Sequence, residues 1–424
     1  MGRESSTSMK SMVTAFGAFL MLLNCSFLTS CGGVVNTTGS KFFTVDGKST
    51  EKVKSFASRS PSDVKFYIEV SGSMNGFFRS NQSTKFKNDA WSVVTDFVSS
   101  DGAVNVFQDQ KSAAVPVPVY VFRDGMNKGA FVSSSSTDVP GMISSMLDDV
   151  EFKSSEVGVL ISDMKYDPVG NSAQKALLTQ YSTDIRNTMM RHPNVAVCLI
   201  AATSEYLSKD GDTATPDSPY YYLIVGNNAN VVYMRNFIAT LLNNNKSFVD
   251  EIEWGIDYMS PSVKVGDEDY LTEIEEDKSY GGFDDECAII LDIDITDYPW
   301  SFENCDFLVK HLSIKSDEGT EAKIDTKNIK YEISYDDGKQ LRRTAIAKVP
   351  VKIKNMYEES DVFEIALRCP EIQEPNSGFM RYLGSEDVND ITTTFSMEGL
   401  LKGFYTSMPR FRDAKPVHIL ISKK

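Results

Sequence analysis

Histidine and cysteine are scarce, and basic charge is outnumbered. The 424-residue chain holds 3 His, 6 Cys and 3 Trp, and its 43 Lys+Arg stand against 59 Asp+Glu, a net charge of −16. The histidines His192, His311 and His418 are far apart, and no HExxH, GxSxG or phosphate-loop pattern occurs. The signatures of zinc proteases, nucleophile-elbow hydrolases and P-loop enzymes are therefore missing. No CxxC or other metal-type cysteine spacing is present, which removes the zinc-ribbon and dithiol readings. The acidic balance argues against nucleic acid, because a phosphate backbone needs a basic face. With 41% hydrophobic and 24% charged residues, the composition excludes a disordered chain, a collagen-like repeat and a polytopic membrane protein. No internal repeat of fixed period is visible. The length predicts two or three domains.

What is present begins at the N-terminus. Arg3 and Lys10 against Glu4 give residues 1–12 a charge of +1, and an apolar run follows from Val13 to Leu23, then Phe27 and Leu28. The run is too short to span a bilayer comfortably and reads as the h-region of a signal peptide over 1–30. It ends in Leu28-Thr29-Ser30-Cys31-Gly32. This resembles the lipobox of bacterial lipoproteins, in which the Cys is lipidated and becomes the first residue after cleavage. The resemblance implies lipidation at Cys31 and a lipid-anchored chain at the cell envelope, periplasmic or surface-exposed, with the outer membrane favoured. Residues 31–62, rich in Ser, Thr, Gly and Lys, read as a flexible tether. Of the remaining cysteines, Cys198 lies in an apolar run and reads as a buried thiol. A bridge among Cys287, Cys305 and Cys369 is left open.

From Val64 to about Leu242, short apolar runs alternate with helical periodicity, the pattern of an α/β sheet. Strands are predicted at Val64–Val70, Val104–Phe107, Val117–Phe122, Val157–Ser162, Val195–Ala201 and Tyr220–Val225. Pro118 demotes the third to an edge. Helices are predicted from Ala90, Trp91, Val94, Phe97 and Val98, and from Val139, Met142, Ile143, Met146 and Leu147. A third is capped by Ser172 and ends at His192-Pro193, and a fourth carries Met234, Phe237, Ile238, Leu241 and Leu242. The fold class is α/β, a doubly wound, mostly parallel sheet over 63–250. The runs at 157–162 and 195–201 read as central strands covered on both faces. Tyr220-Tyr221-Tyr222 reads as strand core.

Residues 251–286 read as an acidic linker. Its runs Asp267-Glu268-Asp269 and Glu273 to Asp277 look like solvated loop, with no EF-hand spacing for calcium. From 287 to 424 alternation dominates, as in Ile289, Leu291, Ile293 and Ile295, and predicts a β-rich, sandwich-like domain. His311 and His418 fall in its strand-like stretches. Ser396–Met408 is the exception, with helical spacing.

The most informative segment is Phe66-Tyr67-Ile68-Glu69-Val70-Ser71-Gly72-Ser73-Met74. An apolar strand ends in an acid, followed by two serines two residues apart. Further on, Ser136-Thr137-Asp138 immediately precedes a helix, and Val159-Leu160-Ile161-Ser162-Asp163 closes an apolar strand. In order and context these three segments resemble the von Willebrand factor A (integrin I-like) domain family, whose first motif is Asp-x-Ser-x-Ser. The resemblance covers roughly 63–245. It implies a metal-ion-dependent adhesion site for Mg²⁺ or Mn²⁺, with Ser71, Ser73 and Thr137 as ligands and Glu69 and Asp163 bound directly or through water. Hard hydroxyl and carboxylate oxygens suit such an ion. The one departure is Glu69, a methylene longer than the family's Asp. The implied function is binding of a protein partner that offers a carboxylate, not catalysis. The rival is a metal-free structural subunit of an envelope assembly. A metal-dependent hydrolase ranks below both and would need Asp138 or Asp167 as its base.

Overall fold

The computed structural model describes residues 41–44, 48–51, 58–79, 82–108, 113–129, 137–166, 174–208, 214–258, 260–265, 271–274, 287–336, 342–368, 379, 381–382, 390–408 and 414–423. Cys31, the signal segment, Asp167, Ser172, Cys369 and the run Asp267-Glu268-Asp269 lie outside them. Among the described residues no helix is long and apolar enough to cross a membrane.

Seven strands form the first sheet: β1 (Asp63–Glu69), β2 (Ala103–Phe107), β3 (Val115–Pro118), β4 (Glu156–Ser162), β5 (Ala196–Leu207), β6 (Ala214–Gly226) and β7 (Phe248–Trp254). Their order is β3-β2-β1-β4-β6-β5-β7. β1 pairs in parallel with β2 and β4, and the other four pairings are antiparallel. Four strands (β1, β2, β4 and β5) therefore share one direction. The helices are α1 (Asn75–Phe78), α2 (Lys85–Phe97), α3 (Val119–Lys128), α4 (Val139–Asp149), α5 (Gln174–Met190), α6 (Asn228–Asn244), α7 (Cys305–His311) and α8 (Met397–Ser407).

Alternation along the strands splits the core in two. Phe66, Ile68, Val159 and Ile161 face Val93, Val94, Phe122, Phe237 and Ile238 of α2, α3 and α6. Tyr67, Leu160, Val197 and Leu199 face Met142, Ile143, Tyr181, Ile185, Leu400 and Phe404 of α4, α5 and α8. Helices on both faces make a three-layer α/β unit, and its central strands read as continuous apolar runs because both sides are covered. The three tyrosines of β6 are fully buried.

Several expectations need correction. The third strand stops at Pro118, and Val119–Phe122 open α3 instead. Proline cannot donate to a ladder, and its fixed φ suits it to a helix start. The run at 196–201 is central, yet both of its ladders are antiparallel, because β6 folds back between β4 and β5. The first sheet does not stop at 250. β7 carries it to Trp254 and takes Glu251 and Glu253 out of the expected linker into the interior. The helix at 397–407 packs on α5 rather than within the β-rich region, with Phe404 stacked on Trp254 at 4.7 Å. The approach is close enough that a Cβ at Gly403 would lie 2.5 Å from that of Ile185. Part of the expected tether is also docked. Phe43 is buried against Val362 and Leu420, Phe42 stacks on His418 at 3.5 Å, and Glu51 meets His418 at 3.0 Å. Finally, His311 ends a helix rather than a strand.

The β-rich part holds two sheets. One runs β12 (Glu321–Ile324), β14 (Arg342–Lys354), β10 (Cys287–Asp294), β8 (Val263–Val265), with β13 (Lys330–Asp336) also on β14. The other runs β11 (Leu312–Ser316), β15 (Ser360–Leu367), β16 (Val417–Lys423), β9 (Leu271–Ile274). Their buried alternates, Leu291, Ile293, Val349, Val351, Phe363, Ile365, Ile419 and Ile421, share one apolar cluster with the first sheet's α6 face. Both β8 and β9 fall in the expected linker. Cys198 is a buried free thiol, and Cys305 is also free, which removes it from any bridge.

Candidate metal centre

The site lies where the strand order reverses: from β1 the chain goes to β2 and β3 on one side, then crosses back to β4 on the other. Ligands of doubly wound sheets settle at the carboxyl ends of such strands. Ile68 pairs with Ile161, so Glu69 and Ser162 close adjacent strands side by side. The chain then turns at Ser71, and Met74 N–H donates to the Ser71 carbonyl. Thr137 enters from a third segment, because Asp138 caps α4 by accepting from Gly141 N–H at 3.1 Å.

All five expected residues converge. Glu69, Ser71, Thr137 and Asp163 are buried, and Ser73 is half-buried. Ser71 Oγ and Thr137 Oγ1 both donate to Glu69 Oε1, the latter at 2.9 Å. Ser71 Oγ stands 3.0 Å from Ser73 Oγ and 3.1 Å from Thr137 Oγ1. Ser73 bonds Asp163, which also accepts from Lys165 N–H at 3.1 Å. Ser162 is the residue that sequence reading passed over. Its hydroxyl donates to Glu69 Oε2 and accepts from Met164 N–H at 2.7 Å. Its only signal was its place at the strand end, beside the acid.

Electrostatically the centre is short of positive charge. Burial raises the Glu69 carboxyl pKa, the Asp163 charge raises it further, and the hydroxyls of Ser162, Ser71 and Thr137 pull the other way. Burial also raises Asp163, against the charge of Lys165 and the bonds from Lys165 N–H and Ser73. Two carboxyl groups share a buried space in which both cannot ionise cheaply. Among the described residues no group of three or more His, Cys, Asp or Glu converges, and here too the carboxylates are two. The donor set nonetheless fits a small hard cation: two carboxylates and three hydroxyls, all oxygen, joined in one hydrogen-bonded chain. Such a cation would supply the charge that burial withholds.

Asp138 is committed to its cap, and Asp167 lies outside the described residues. No family model matches the chain, and no curated protein matches it. Among solved structures, the chitinase ChiW, a multi-modular cell-surface-expressed enzyme of a Paenibacillus species, aligns at 9% identity and a TM-score of 0.16. The alignment covers 53% of this chain and 22% of that one. At that score the likeness carries no argument about fold or activity.

Proposed function

We propose that this chain is an envelope lipoprotein, anchored through Cys31, whose von Willebrand A-like unit binds a protein partner through a metal-ion-dependent adhesion site. The observation that carries the reading is the meeting of three separate segments at one point. Glu69 ends β1 and Ser71 and Ser73 follow it, Thr137 precedes α4 and Asp163 follows β4, and their oxygens are joined in one hydrogen-bonded chain. Mg²⁺ or Mn²⁺ would be held by Ser71, Ser73 and Thr137, with Asp163 and Glu69 direct or through water. The partner's carboxylate would complete the coordination.

The test is a titration of Mg²⁺ and Mn²⁺ into chelator-treated mature protein while its melting temperature is followed. A ligand selective for the native state stabilises by about 2.7 kcal/mol at a hundredfold excess over Kd. A rise in the parent that is absent in Asp163→Ala supports the reading. A flat response up to millimolar metal sinks it. One observation favours a second reading, a metal-free structural subunit: both oxygens of Glu69 already accept hydroxyl hydrogen bonds. On that reading Glu69→Gln leaves the melting temperature insensitive to metal, as in the parent.

A further inference from the structure

β15 and β16 are antiparallel neighbours, which a two-residue turn could join. The chain instead leaves the end of β15 at Leu367, visits the first sheet, and returns at Val417. Three contacts fasten this excursion beside the candidate centre. Tyr221, the β6 partner of Ser162, bonds Thr394 Oγ1 through its hydroxyl at 2.9 Å. Its ring stacks on Phe379 at 6.2 Å. Lys165, two residues past Asp163 and 6% exposed, donates from Nζ to the carbonyl of Asp390 at 2.7 Å. The Asp390 carboxylate in turn accepts from Thr392 N–H and from the Thr392 and Thr393 hydroxyls, at 2.7 to 2.9 Å.

The third contact is the informative one. The backbone N–H of Lys165 already bonds the Asp163 carboxylate at 3.1 Å, yet the buried side chain of the same residue sends its ammonium to a neutral carbonyl. Lysine carries its charge on a flexible four-carbon stem and can reach more than one acceptor. We propose that Lys165 is a built-in rival for the cation of the Glu69–Asp163 centre, and that the 390–394 segment holds it away. The proposal rests on the metal-centre reading. Two arrangements follow. With the ammonium on the Asp390 carbonyl, the two carboxyl groups are left for a metal ion. With the segment withdrawn, the ammonium turns to Asp163 and neutralises the centre from within. A metal ion binds only the first arrangement, so it shifts the population toward it. By reciprocity, the docked segment favours the metal as much as the metal favours the docked segment. Lys165 is thus a positioning residue, and the excursion between β15 and β16 sets the affinity of a centre to which it contributes no ligand.

The experiment measures Mn²⁺ binding calorimetrically to the mature chain. Phe379→Ala loosens the excursion, and Thr394→Val does so more gently should the first variant fold poorly. Either is expected to weaken Mn²⁺ binding, by about tenfold for the larger change, or 1.4 kcal/mol. Adding Lys165→Met to the same variant restores affinity to within about threefold of the parent, whereas Lys165→Arg, which keeps the charge, does not. Amide hydrogen exchange over 390–394 supplies a second readout. Mn²⁺ slows it in the parent and leaves it unchanged in Lys165→Met. Weak binding that persists in the double variant overturns the role of Lys165 and leaves the metal centre standing. Absence of Mn²⁺ binding in both the parent and Lys165→Met overturns the metal reading and this proposal together. Binding in Lys165→Met alone places the ammonium on the carboxylates in the parent and overturns the holding role of the 390–394 segment.

Discussion

Two pairs of acidic side chains are buried in the first unit, and they are neutralised in opposite ways. Glu251 and Glu253 on β7 enclose Arg235 of α6, with Arg235 Nη1 donating to Glu253 Oε1 at 2.9 Å and Nε 3.8 Å from Glu251 Oε2. Tyr258 donates to Glu253 Oε2, and Trp300 N–H to Glu251 Oε1 at 2.8 Å. Burial works against the guanidinium charge, but Glu253 and Glu251 outweigh it and hold Arg235 firmly protonated. At the other pair, Glu69 and Asp163, hydroxyls replace the guanidinium, and the nearby lysine is bonded elsewhere. A fixed cation makes the first pair a structural joint between sheet, helix and the β-rich part. The second pair has hydroxyls in that place, and on the proposed reading its cation comes from solution.

Breaking the paired cluster has the largest expected effect. Arg235→Met leaves two acids without their cation and lowers the unfolding free energy by about 3–5 kcal/mol. The melting temperature reports the loss, and Mg²⁺ still raises it, because the other pair is intact. A loss of the metal response in this variant would show that the two pairs are not independent.

Protons sharpen the same contrast. The folded-state pKa values of Glu69 and Asp163 are raised, so the folded chain holds protons that the unfolded chain has released. Stability is therefore full below the ordinary carboxylate range and is lost as pH rises through the raised values. Metal-free protein should melt lower at about pH 8 than at about pH 5, by up to about 1.4 kcal/mol for each unit of raised pKa. Glu69→Gln, which cannot ionise, flattens that slope. A slope unchanged in Glu69→Gln would move its origin to other groups, Glu251 first, since burial raises its pKa as well.

The smallest effect comes from trimming hydrogen bonds at each pair. Tyr258→Phe costs about 1 kcal/mol and leaves the metal response alone. Ser162→Ala costs a similar amount but frees one oxygen of Glu69, so the metal-induced rise in melting temperature should grow. Equal metal responses in the two variants would erase the distinction between the pairs.

The convergence of the five candidate residues was legible because each sits at the end of a local pattern: Glu69 and Asp163 at or just after the ends of apolar strands, Ser71 and Ser73 in the turn that follows β1, and Thr137 before a helix cap. A β-strand delivers its terminal residue to the sheet edge whatever else the chain does. Ser162 escaped notice because its hydroxyl matters only through a neighbouring strand. Arg235 was invisible for a similar reason. It lies among the apolar residues of α6, and its partners come from β7, a segment whose acids suggested exposure. Burial of a charge depends on what packs over it, and charge density along the chain does not report that.

Local periodicity thus determined the α/β class, most strands and helices of the first unit, with α3 and β7 as exceptions, and the loop residues that meet at its carboxyl edge. Those features follow from dihedral preferences and side-chain alternation, which act over a few residues. Only the tertiary structure decided that β6 lies between β4 and β5, that the helix at 397–407 completes the second face of the sheet, and that Asp390 reaches Lys165. These are pairings between segments far apart in the chain. They are selected by total buried surface and satisfied polar groups, quantities that no short stretch of sequence contains.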